Sequence, residues 1–117
     1  MSEFFKDRLD VAHALIDEHQ YDMAVEIIQN LRVRIHDTDI LTKINDHDNK
    51  VDNEYNNRYS LLSSRTGDPM QNFNEVQKIK KWRSQEYLTF YDKIFKDHDI
   101  PWKTILNANP STAPSSP

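Results

Sequence analysis

Gly67 is the only glycine among 117 residues, and this constrains the fold more than any other feature of the chain. Glycine supplies the positive φ of tight hairpin turns and lets the backbone approach a phosphate closely. A sheet of several strands needs many such turns, and a Walker loop or a dinucleotide fingerprint needs several glycines at fixed offsets. None of these can be written with Gly67 alone. The chain has to be organised by α-helices joined through short polar links, and its length suits one core.

The hydrophobic fraction is 37 % and the charged fraction 29 %, against the roughly 45–50 % apolar content usual for globular domains. Such a core is thin. Either the helices meet along narrow apolar seams, or burial is completed against a partner. The formal net charge of −4 removes any bulk attraction to nucleic acid or anionic lipid. The absence of cysteine excludes disulfides, thiolate metal sites and cysteine nucleophiles. Apolar runs extend only a few residues, and the first residues lack the apolar stretch of a signal peptide. The expectation is an intracellular protein, cytoplasmic or nuclear, with no membrane contact.

Hydrophobic spacing predicts four helices. In the first, from Ser2 to about His19, Phe5, Leu9, Ala12, Leu15 and Ile16 recur at three and four residues. Glu3, Asp7 and Asp10 crowd its early turns, where the helix dipole favours negative charge. A tight turn at Gln20 leads into a second helix, Tyr21 to Ile35, with Ala24, Ile28, Leu31 and Ile35 on one stripe. Thr38 or Asp39 caps a third, reaching Ser63 along Leu41, Ile44, Asp48, Val51, Tyr55, Tyr59 and Leu62. Asn45, Asn49, Asn53, Asn56 and Asn57 flank that stripe, so this helix depends on tertiary packing rather than propensity.

The stretch from Arg65 to Asn72 holds Gly67 and Pro69 and reads as the main loop. A fourth helix is predicted from Asn72 or Asn74 to Lys96, with Val76, Ile79, Tyr87, Phe90 and Ile94 on its core stripe. Leu88, Tyr91 and Phe95 fall on one flank and Trp82 on the other, an apolar arc wider than one packing face needs. Residues 103–106 add a short turn beyond Trp102, and 107–117, rich in Pro, Ser and Thr, is expected to be disordered. The fold class is therefore all-α: an antiparallel four-helix bundle or two packed helical hairpins, as one domain over 1–106. From Asp37 to Tyr59 there are six acids and three bases, and from Glu75 to Lys96 six bases and three acids, so the third and fourth helices should attract.

Several patterns invite a chemical reading. His36-Asp37, His47-Asp48 and His98-Asp99 suggest the scattered ligands of a metal-dependent phosphohydrolase, but their spacing fits no ligand pattern. Asp17, Glu18, Asp22 and Glu26, with Asp48 and Asp52, invite a magnesium site. In this they resemble the all-helical nucleotide pyrophosphohydrolases, although that family's Glu-x-x-Glu pattern is missing. Asp48 interrupts an apolar stripe, where a buried carboxylate needs a partner. Arg83 or Lys80 of the fourth helix is the expected one, in an ion pair that sets register. Lys78, Lys80, Lys81 and Arg83 around Trp82 suit a single-stranded nucleic acid, against which the overall acidity weighs.

Two local resemblances complete the reading. Arg8 and His13 resemble the Arg-x-x-x-x-His ribonuclease motif of HEPN domains, but Leu9 stands where that family places Asn or Asp. Val11, Ala12, Leu15, Tyr21, Ala24, Ile28 and Leu31 resemble the spacing of one tetratricopeptide-type hairpin over residues 8–35. His19 stands where that family prefers Gly, and no second copy follows. The resemblance implies a close-packed helical hairpin.

The function expected from these features is a non-enzymatic protein–protein interaction module that binds a protein partner or a second copy of itself, with no cofactor or metal. The expected contact residues are Trp82, Tyr87, Leu88, Tyr91, Phe95 and Trp102, the aromatic type that interfaces enrich. The competing expectation is a small metal-dependent hydrolase of phosphorylated or nucleotide substrates, using the helix-borne acids and histidines.

Overall fold

The computed structural model describes residues 3–63 and 67–98. All elements in them are helical: α1 (Glu3–Asp17), α2 (Tyr21–Asn30), a 3-10 turn (Leu31–Arg34), α3 (Thr38–Ser63) and α4 (Pro69–His98). The expected turn at 103–106, the tail at 107–117 and Trp102 lie outside the described residues.

Phe5, Leu9, Ala12 and Ile16 form the buried face of α1. The helix ends two residues before the expected His19, and backbone hydrogen bonds give the reason. The His19 N–H reaches the carbonyl of Ile16 at 3.0 Å and the Gln20 N–H that of Leu15 at 2.8 Å. This is a Schellman closure, and it puts His19 in the left-handed region, at φ +64°. A hydrogen bond of 2.7 Å between His19 Nδ1 and the Tyr21 hydroxyl holds the side chain there. The position where the tetratricopeptide pattern prefers glycine is thus one whose backbone would suit glycine.

The second predicted helix is α-helical only to Asn30, and its last turn tightens into the 3-10 form. Leu31 and Ile35 stay buried, while Arg32 meets Asn45 and Asp48 of α3 at 3.2 and 3.4 Å. The cap of α3 is Asp37, whose Oδ1 accepts the Ile40 N–H at 3.1 Å, rather than the expected Thr38 or Asp39. α4 begins at Pro69 rather than at Asn72 or Asn74. Asp68 Oδ1 accepts the Met70 N–H at 3.0 Å, and Pro69 takes the first helical position, where its missing N–H costs nothing.

α4 packs against each of α1, α2 and α3. Phe5 of α1 stacks on Phe95 at 4.6 Å between centroids, and Asp22 at the start of α2 meets Lys80 at 2.9 Å. Along α3, Asp48 faces Tyr91 and Asp52 faces Tyr87, while Arg58 covers Trp82. α3 and α4 are therefore antiparallel, α1 runs against α4, and α2 runs alongside it. The arrangement is two packed helical hairpins. The wide apolar arc on α4 follows from its central place.

Thirty residues make α4 about 45 Å long, and fifteen make α1 about 22 Å. The short hairpin covers only part of the long one. Beyond the level of Asp22 and Lys80, α3 and α4 continue as a pair, and the molecule extends 61 × 26 × 25 Å.

Candidate functional site

Asp48 and Ser84 are the polar residues buried in the core among the described residues. The Asp48 carboxylate is well supplied with donors. The Tyr91 hydroxyl donates to its Oδ2 at 2.8 Å, Arg32 Nη1 approaches the same oxygen at 3.4 Å, and His47 Nδ1 meets Oδ1 at 3.0 Å. One turn further along α3, Asp52 accepts from the Tyr87 hydroxyl at 2.9 Å, and that hydroxyl accepts from Gln29 Nε2 at 3.1 Å. The result is a two-rung polar ladder: acids four residues apart on α3 face tyrosines four residues apart on α4, with Gln29 and Arg32 closing it from the α2 side. Burial, reinforced by the Asp48 carboxylate, pushes the Tyr91 hydroxyl far above its ordinary range. Burial likewise raises Tyr87, with Asp48 and Asp52 adding to it and the Gln29 hydrogen bond opposing.

The partner of Asp48 is a correction to the sequence reading, which expected Arg83 or Lys80. Both of those bases have other partners: Lys80 Nζ bonds Asp22 Oδ2 of α2 at 2.9 Å, and Arg83 lies between α2 and α3, 3.7 Å from Asp22 and 3.9 Å from Asp52. The bond to Asp22 raises the Lys80 ammonium above its usual range. The Arg83 guanidinium stacks over Tyr55, 4.0 Å from its centroid. The arginine that serves Asp48 comes instead from the 3-10 turn, which an unbroken second helix would not have suggested.

The other chemical candidates are spread over the molecule. Asp22 is held by Lys80 and Arg83, and Asp48 and Asp52 by tyrosine hydroxyls. Among the described residues no three His, Asp or Glu side chains converge as a metal site would require. His13 lies 3.8 Å from exposed Asp17, and the Arg8 guanidinium sits over Phe4, 5.4 Å from its centroid. Among the described residues no helix is long and apolar enough to cross a membrane.

Of the expected contact residues, Tyr87, Tyr91 and Phe95 are buried in the chain's own core, where α1, α2 and α3 cover them. Trp82 and Leu88 sit at the two edges of the arc, partly buried against that core. Of the large apolar side chains that do face solvent, Val11, Met23 and Val33 lie on the short hairpin, and four others lie toward the free end of the long one. Met70 is 65 % exposed, Phe73 58 %, Tyr59 41 % and Leu61 68 %. Phe73 is seven residues before Lys80, and Tyr59 is four after Tyr55, so both continue the rows that further along face α2. Single exposed apolar residues are ordinary on a protein surface. A continuation of the core face past the end of its covering helices is not.

The sequence carried signals for both features. The ladder is written as Asp-x-x-x-Asp opposite Tyr-x-x-x-Tyr, and the projecting end as helices of unequal length. Comparison with protein-family models, with curated proteins and with solved structures finds no match.

Proposed function

We propose that this chain is a protein–protein interaction module whose docking surface is the projecting end of the α3–α4 hairpin. The observation that carries this reading is the exposure of Tyr59 and Phe73 on the rows that carry Tyr55 and Lys80 one and two turns nearer the core, with Met70 and Leu61 exposed beside them. Burial of exposed apolar surface is worth roughly 25 cal/mol per Å², and several such side chains at one end of a molecule are what an interaction site requires. Trp82, under the guanidinium of Arg58 at 4.2 Å, borders the same region and adds the residue type that most often anchors an interface. Of the acids singled out for a metal-dependent hydrolase, Asp22, Asp48 and Asp52 are engaged in ion pairs or tyrosine hydrogen bonds, which favours the interaction reading over the enzymatic one.

The test is photo-crosslinking in the producing cell. A benzophenone amino acid at position 73 should give discrete covalent adducts, to a second copy or to another protein, and the same probe at exposed Ala14 of α1 should not. If the two positions gave the same adduct pattern, the hairpin end would have no special claim as a docking surface. Light scattering of the purified chain separates self-association from binding to another protein.

A further inference from the structure

At the opposite end of the long hairpin, α3 and α4 enclose an open groove of about 420 Å³, lined by Lys43, Asp46, His47, Lys50, Phe90, Lys93 and Ile94. All seven belong to α3 or α4 and fall within 43–50 and 90–94, so the groove is separate from the short hairpin and lies far along both helices from Tyr59 and Phe73. Its floor is aromatic and fixed in place. The His47 ring stacks on Phe90 at 3.9 Å and 8°, and its Nδ1 is tied to buried Asp48 at 3.0 Å. Its rim carries three lysines against one aspartate, in a chain whose net charge is −4.

We propose that this groove docks an acidic amphipathic helix of a partner protein. A groove between two neighbouring helices accepts a third by ridge-into-groove packing, and an amphipathic helix binds such a groove through its apolar face. Lys43, His47 and Lys50 follow one another at four and three residues along α3. They make a row about 10 Å long, with Lys93 on α4 across the groove. A helix laid along that row presents carboxylates to the lysines when its own acids repeat at three and four residues. An apolar side chain between them then rests on Phe90 and Ile94. Opposite charge supplies the choice of partner, while the apolar floor supplies burial. Because stacking and a buried hydrogen bond already hold His47, little of the floor has to be ordered on binding.

The experiment is a selection from a displayed library of helical peptides, with the full chain as bait and the K43E/K50E/K93E variant as counter-bait. All three lysines are exposed, and the circular dichroism and melting temperature of the variant are recorded beside those of the parent so that a loss of fold is separated from a loss of binding. Retained peptides should carry Asp or Glu at three- and four-residue spacing around a large apolar residue. They should bind the variant at least tenfold more weakly, lose affinity as salt rises, and shift the ring resonances of His47 and Phe90. Exchanging their acids for lysines should restore binding to the variant, which tests charge pairing independently of any loss of stability. The proposal is overturned if retained peptides show no acidic bias, if they bind parent and variant alike, or if none is retained by the parent over the variant. It is also overturned if octanoate alone displaces them and shifts the same resonances, because the site would then belong to a small amphiphilic acid.

Discussion

Tyr91 and Tyr87 donate to two carboxylates one turn apart, but the two rungs differ in how much water reaches them. Asp48 is fully covered, whereas Asp52 is only partly buried. Removing a donor from a buried acceptor costs about 1–3 kcal/mol, so Tyr91→Phe should lower unfolding free energy by that amount and Tyr87→Phe by less, as read from urea melts. Both hydroxyls are raised above the ordinary value of 10.0, so the folded state holds their protons more tightly than the unfolded state. This contribution is complete below about pH 10 and is lost as pH rises above it. Absorbance at 295 nm should show Tyr87 and Tyr91 ionising only together with alkaline unfolding. Reversible ionisation of all five tyrosines near pH 10 in the folded chain would contradict this. His19 offers a second residue-scale experiment. His19→Gly and His19→Ala both remove the bond to Tyr21, but only alanine retains the left-handed penalty at φ +64°. The glycine variant should be the more stable of the two by about 1 kcal/mol.

At the scale of elements, the helices and their apolar faces were readable from spacing alone, because burial and periodicity are both properties of the local sequence. The Phe5, Leu9, Ala12 and Ile16 face of α1 and the Ala24, Ile28, Leu31 and Ile35 stripe after it are core in the structure, as expected. Helix ends were less readable. Pro69 punctuates a loop as readily as it opens a helix, and Asp68 decides between them only once its carboxylate is seen to accept the Met70 N–H. Asp68→Ala should therefore destabilise the chain by about 1 kcal/mol and fray the start of α4, with faster amide exchange confined to its first turns. Faster exchange spread along the whole helix would mean that the cap is not what holds that end. The wide arc on α4 was visible in sequence, but its meaning was not. Tyr87, Tyr91 and Phe95 can face a partner or the chain's own helices, and only the packing of α1, α2 and α3 around α4 distinguishes the two. Likewise, the partner of Asp48 depended on a 3-10 turn that periodicity does not encode.

For the whole molecule, two hairpins of unequal length imply unequal stability along α4. Residues 84–95 are surrounded by other helices, whereas residues 70–78 have α3 alone beside them. Hydrogen exchange should therefore run fastest in 70–78 and in the facing end of α3, and slowest around Tyr87 and Tyr91. Uniform protection from 70 to 95 would show that something else covers the hairpin end, a second copy included. The central helix is also the last described element to leave the ribosome. α1, α2 and α3 emerge with Phe5, Leu9, Ile28 and Ile44 facing a space that α4 has yet to fill, so the nascent chain carries bare apolar surface until about residue 95 is clear of the exit tunnel. Completion of this fold is thereby postponed until α4 has emerged, and a truncation within α4 would leave the first three helices without the element that each of them packs against.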